Sequence, residues 1–238
     1  MTRTTIFARD DQVAELTRGL EIPFHPLQQI HLTIVVEVLA RAWSELSVDH
    51  RGTIAKGSEA EINALMTARL NGLLDDNLMW RQLVRSVTRG AESISYDGSH
   101  LEKRPDLSIH LTNRSPSFPL VVECKIIDIT SDKTASRYCE KGLLRYINGD
   151  YAWAAAEAFM LAYVRDKSSI QSSLTPILID SEKLTPPPYL VVTFPEAAPH
   201  PTADLARSRH NRNFTYTNNV RQNLPGLISV WHMWVSAA

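Results

Sequence analysis

The run Leu120 to Ile127, LVVECKII, sets two charges inside an otherwise apolar segment. On a strand, alternate side chains share a face, so Glu123 and Lys125 project together while Val122, Cys124 and Ile126 point the other way. Burying such charges is costly unless they are paired or hold a metal. The pair therefore singles out Arg104 to Asp128, RPDLSIHLTNRSPSFPLVVECKIID, as the stretch that constrains the rest of the chain.

Upstream, Pro105 cannot donate to a β-ladder and belongs at the start of a strand. That strand puts Asp106, Ser108 and His110 on one face and Leu107, Ile109 and Leu111 on the other. Arg114 to Pro119 supplies the reversal into the charged strand. Before it, ESISYDG alternates and ends in the turn pair Asp97-Gly98. Three consecutive strands, antiparallel, are expected.

Helices are expected around them. Leu27 to Leu46 is apolar at helical spacing and reads as scaffold. Ser58 is an N-cap for a helix carrying Ile62, Leu65, Met66, Leu70 and Leu73 on one stripe. Glu59 and Glu61 in its first turn are accounted for by the helix dipole alone. A third helix is expected from Asn77 to Val87. After the charged strand, Thr134 to Ile147 reads as helical, with Tyr138, Lys141 and Arg145 on one face. Asn148-Gly149 breaks the chain, and the alanine-rich Tyr151 to Val164 reads as a further helix. Tyr189 to Phe194 reads as a buried strand and Leu227 to Val235 as another. Between them, ADLARSRHNRNFTYTNNVRQN is expected as a loop. There Arg207, Arg209, Arg212 and Arg221 beside Phe214 and Tyr216 would suit a phosphate backbone, and a solvated surface explains them equally well.

The 238 residues, 44% of them hydrophobic, can bury one sizeable core, and the net charge of -1 gives no global attraction to polyanions. Cys124 and Cys139 are too few for a disulfide framework and lack the spacing of a zinc site. The N-terminus has no apolar signal segment, and the most hydrophobic window, Ile30 to Trp43, is interrupted by Glu37 and Arg41. A soluble, cytoplasmic protein without membrane contact is expected.

The order of elements, a helix bearing Glu59 and Glu61, a strand, a strand opened by Pro105-Asp106, a strand containing Glu123-Cys124-Lys125, helices and a strand, resembles the core of the PD-(D/E)xK nuclease superfamily. The likeness covers Ser58 to Pro195. It implies an α/β fold with a restriction-endonuclease-like core, a mixed central sheet flanked by helices, preceded by a helical extension over 1–57 and followed by a basic loop and strand over 196–238. It further implies hydrolysis of DNA phosphodiesters with Mg²⁺ or Mn²⁺, in a restriction or phage-defence setting. Asp106 and Glu123 would be the metal's carboxylates, with the Cys124 main-chain carbonyl a further ligand. Lys125 would orient or deprotonate the attacking water and steady developing charge. Glu61, favoured for its place at the edge of the buried stripe, or Glu59 would complete the set. Tyr138, Lys141, Arg145, Arg209 and Arg212 are candidates for holding the substrate, and a homodimer or a partner subunit is open. The competing class is an inactive module of the same fold that binds nucleic acid or serves in an assembly. Taken singly, Asp106 is explained as a turn acid and Glu123 with Lys125 as a structural ion pair.

Overall fold

In a computed structural model, residues 7–216 and 224–237 are described. In chain order they form α1 (Phe7–Leu16), α2 (Gln29–Asp49), α3 (Arg51–Lys56), α4 (Glu59–Asp76), α5 (Leu78–Leu83), β1 (Val84–Thr88), β2 (Leu107–Leu111) and β3 (Leu120–Ile127). Next is a single helical stretch, α6 (Ala135–Tyr138) and α7 (Leu144–Ile147) joined by a π-helical turn over Cys139–Leu143. Then come β4 (Glu157–Val164), a π turn at Ile170–Leu174, α8 (Thr175–Ser181), β5 (Val191–Ala197), β6 (Asp204–His210) and β7 (Ile228–Ser236).

The strands build one seven-stranded mixed sheet in the order β1-β2-β3-β4-β7-β6-β5. The pairs β1/β2 and β2/β3 are antiparallel, as expected for the Pro105 strand and the charged strand, but the third member is Val84–Thr88 and not ESISYDG. By contrast, β3/β4 and β4/β7 are parallel, and β6 pairs antiparallel with both β7 and β5. Alternation along the strands divides the core. Leu107, Ile109, Val122, Cys124, Ile126, Phe159, Leu161 and Tyr163 pack beneath α2, α4 and α5, while Val121, Ile127, Met160 and Ala162 pack beneath the α6–α7 stretch and α8. Helix α2, expected as an extension, belongs to this core: Trp43 stacks on Tyr163 with ring centroids 5.0 Å apart. Among the described residues no helix is long and apolar enough to cross a membrane.

Four local expectations are corrected. The helix begun at Leu78 stops at Leu83, and the first strand is Val84–Thr88 rather than ESISYDG. Asn71 of α4 fixes that strand, accepting from Val87 N at 3.0 Å and donating to Val87 O at 2.7 Å. ESISYDG instead forms a loop with a single Ser93–Lys103 bridge. Tyr151 to Val164 is no helix: its second half is β4, buried along its whole length between two parallel neighbours. Such strands are continuously apolar and carry no alternation to distinguish them from a buried helix. The arginine-rich stretch expected as a loop is a regular strand, β6, over its first third, and Arg221 lies outside the described residues. The strand expected from Tyr189 is the edge strand β5 and is half exposed.

Candidate active site

Strand β2 pairs with β3 as far as Leu107 opposite Val122. Beyond that point Pro105 has no N–H to offer and the chain turns away. The next main-chain donors of β3 on that side, Cys124 N and Ile126 N, are taken by carboxylates. Asp106 Oδ2 accepts from Cys124 N at 2.8 Å, and Glu59 Oε2 accepts from Ile126 N at 3.2 Å. Two acids from different elements are thus drawn to β3 where it carries Glu123 and Lys125.

Lys125 Nζ lies among them, 3.0 Å from Glu123 Oε1, 3.2 Å from Glu59 Oε1 and 3.3 Å from Asp106 Oδ2, and it donates to the Cys124 carbonyl at 2.6 Å. Arg145 reaches Glu123 Oε1 at 3.3 Å and donates to the Tyr151 hydroxyl at 2.6 Å. Three carboxylates therefore meet two cations, an excess of one formal negative charge. The cluster opens on one side: the Asp106 and Glu59 side chains are 23% and 34% exposed, whereas Glu123 is 1% exposed.

Burial pushes the Glu123 carboxyl up to about 7, against the pull of Lys125 and with the push of Asp106. Burial also opposes the charge on Lys125, but Glu123, Asp106 and Glu59 outweigh it and hold the ammonium above the usual lysine range. The two directions compete for one pair. The charged lysine is the firmer of them, because three acids and a carbonyl surround it while Glu123 Oε2 is buried without a hydrogen-bond partner.

The sequence candidates divide accordingly. Asp106, Glu123, Lys125 and the Cys124 carbonyl come together, with Arg145 beside them. Glu61 does not: exposed, it accepts from Ser58 N and from the Ser58 hydroxyl, both at 2.7 Å, and closes a capping box on its own helix. Glu59 is the helix acid that reaches the cluster. Tyr138 is fully buried, with its hydroxyl 2.8 Å from His232 Nδ1. Lys141 is exposed on the π turn. The expected common face of Tyr138, Lys141 and Arg145 assumed an unbroken α-helix, and the wider π turn rotates the residues after it, Arg145 included, relative to Tyr138. Arg209 sits on β6, three strand spacings or about 14 Å across the sheet from β3. Arg212 is 9% exposed and donates to the carbonyls of Ala152, Trp153 and Ala155, which ties it into the scaffold. Phe214 and Tyr216 are buried beside it, so of the expected basic rim Arg209 is exposed and Arg207 half exposed on β6, while Arg212 and the two rings belong to the scaffold.

Sequence reasoning missed three supporting residues. Asn63, buried on α4, donates to Asp106 Oδ1 at 3.0 Å and accepts from the Tyr163 hydroxyl at 2.8 Å. Tyr146 accepts from Glu123 N at 3.0 Å and donates to Phe159 O at 2.8 Å. Asn63 gave a signal, a polar residue beside Ile62 and one helical turn before Met66 at the edge of an apolar stripe; the tyrosines gave none.

The donors of the cluster are hard oxygens, the type Mg²⁺ and Mn²⁺ prefer. The unpartnered Glu123 Oε2 and the excess negative charge also suit a cation. The carboxylates surround the ammonium, however, and among the described residues no group of three or more His, Cys, Asp or Glu side chains is gathered as a metal site. Compared with known protein families, with curated proteins and with solved structures, the chain has no significant match.

Proposed function

We propose that the chain is a metal-dependent nuclease of the PD-(D/E)xK type that hydrolyses DNA phosphodiester bonds and leaves a 5′ phosphate. The observation that supports this reading best is the meeting of Glu59, Asp106, Glu123 and the Cys124 carbonyl around Lys125 Nζ at the open end of β3. Glu59, Asp106, Glu123 and the carbonyl would hold Mg²⁺ or Mn²⁺. The ion would supply charge neutralisation at the phosphate oxygens and a more acidic water.

The chain's own groups have separable roles. Lys125, kept charged by the acids around it, cannot take a proton; it orients the attacking water through a lone pair and stabilises the negative charge growing on phosphate. Arg145, fixed by Tyr151, provides a second cation on the same side. Asn63 and the Cys124 amide hold the Asp106 carboxylate in one orientation, which keeps the geometry set before substrate arrives. Water's oxygen bonds to phosphorus and releases a proton to solvent, the bond to the 3′ oxygen breaks, and that oxygen takes a proton from solvent.

A restriction or phage-defence role, in a homodimer or with a partner subunit, accords with a chain of this type. The test is cleavage of plasmid and single-stranded DNA with Mg²⁺ or Mn²⁺ by wild type and by Lys125→Ala. Activity in wild type, lost in the variant and in chelator, supports the reading. Binding without cleavage under every metal would favour the inactive module.

A further inference from the structure

Beside the cluster, on the same face of the sheet, is a partly enclosed cavity of about 230 Å³. A cavity of about 150 Å³ takes up benzene, so this volume suits one planar ring system. Its walls include Trp153, Phe118, Val121, Pro105, Ser93 and Ser108. Trp153 and Phe118 stand edge to face, ring centroids 5.2 Å apart and planes at 84°, and Trp153 is anchored by its Nε1 donating to Ile94 O at 2.7 Å. Ser108, also in the lining, is 2% exposed, and its hydroxyl can both donate and accept.

The cavity and the charged cluster share their walls. Pro105 precedes Asp106. Val121 lies two residues before Glu123 on the same face of β3, about 7 Å along the strand. Ala152, also in the lining, is next in the chain after Tyr151, which receives the hydrogen bond from Arg145. The lining holds no lysine or arginine, and its one carboxylate, Glu92, is paired with Arg104 at 2.7 Å. His110 has both ring nitrogens engaged, with Thr88 Oγ1 at 3.0 Å and Pro116 O at 3.2 Å. A phosphate or another anion finds no counter-charge there. A neutral, flat, hydrogen-bonding ring does find aromatic and polar surface.

We propose that this cavity receives one unpaired nucleobase of the strand whose phosphodiester lies at the Asp106, Glu123 and Lys125 cluster. The inference rests on the nuclease reading and narrows its substrate to DNA with an unpaired or extruded base next to the scissile bond. The ring lies against Trp153, and Ser108 bonds its edge.

The test compares, in chelator so that nothing is cut, the affinity for a labelled hairpin with one unpaired base and for the same hairpin with an abasic residue there. Wild type should bind the base-bearing hairpin about tenfold more tightly, as stacking of one base implies. Ser93→Trp, which fills the cavity from a half-exposed wall position, should abolish that preference while leaving the abasic affinity unchanged. Ser108→Ala, a smaller change should the tryptophan variant misfold, should weaken the preference several-fold. Free adenosine and cytidine, followed by saturation-transfer NMR, should contact wild type and not Ser93→Trp. Equal affinity for the two hairpins, or a preference that both variants retain, overturns the proposal. Cleavage without base preference would sink the cavity proposal and leave the nuclease reading standing. Nucleoside contact and base preference without cleavage under any metal would do the reverse.

Discussion

Asp106 accepts the main-chain N–H of Cys124 at 2.8 Å, so the acid at the head of β2 occupies the place a longer strand would have filled. The same bond that completes β3 aims the carboxylate at Lys125. Stability and chemistry at this residue are separable by substitution. Asp106→Asn keeps an oxygen for Cys124 N and should unfold in urea within about 1 kcal/mol of wild type, yet lose the rise in Tm that Mg²⁺ or Mn²⁺ brings to wild type. Asp106→Ala leaves Cys124 N and Asn63 without their acceptor and should cost about 1–3 kcal/mol. A cost as large in Asp106→Asn would contradict this account.

The two helix acids should separate in the same way. Glu59→Gln should lower the cleavage rate by about tenfold or more, because it removes charge from the cluster. Glu61→Gln should lower Tm through a weakened capping box and leave the rate within about twofold. Rate assays on both variants at one metal concentration decide it, and a reversed order would restore Glu61 to the site.

Gly149 has φ +76°, and a Cβ there would lie 2.6 Å from a Tyr96 ring carbon and 2.8 Å from a Phe214 ring carbon. Left-handed backbone already costs a non-glycine residue about 1–2 kcal/mol. Gly149→Ala should therefore lose at least about 2 kcal/mol in urea unfolding. A loss below about 0.5 kcal/mol would mean the two rings yield freely.

A buried network links Tyr138, His232, Ser208 and His210 by contacts of 2.7–2.8 Å. Burial lowers the His210 pKa to about 4, and burial together with His210 lowers that of His232 to about 3. The unfolded chain then binds protons below pH ~6.5 that the folded chain refuses, so stability complete above ~6.5 is lost as pH falls towards 4 and 3. The Glu123 carboxyl, raised to about 7, titrates in the opposite sense. A difference between wild type and His210→Asn cancels that contribution. Their gap in unfolding free energy should narrow as pH falls from 6.5 to 5, approaching ~1.4 kcal/mol per pH unit. A constant gap would show that His210 is protonated in the fold.

Much of the candidate site was legible because it depends on strand alternation. Glu123 and Lys125 share a face for the reason the sequence indicates, and Pro105 with Asp106 heads the neighbouring strand. The helix acid was also within reach: Ser58 and Glu61 form the Ser-x-x-Glu pattern of a capping box, which engages Glu61 and leaves Glu59 for β3. Other features rest on three-dimensional context. Buried on both faces, β4 shows no period, and the π turn that separates Arg145 from Tyr138 has no sequence mark. Arg212 looks like any surface arginine until the carbonyls of Ala152, Trp153 and Ala155 are brought around it.

The account turns on the charge cluster at β3 being catalytic. The most direct measurement is Mg²⁺- and Mn²⁺-dependent cleavage of plasmid and single-stranded DNA by purified wild type and Lys125→Ala. The account predicts metal-dependent products with 5′ phosphates from wild type, and a rate at least about a hundredfold lower from the variant, as loss of one charge-stabilising group implies. Wild type that binds DNA and cuts none of it with either metal, or a variant that cuts as fast as wild type, would contradict it.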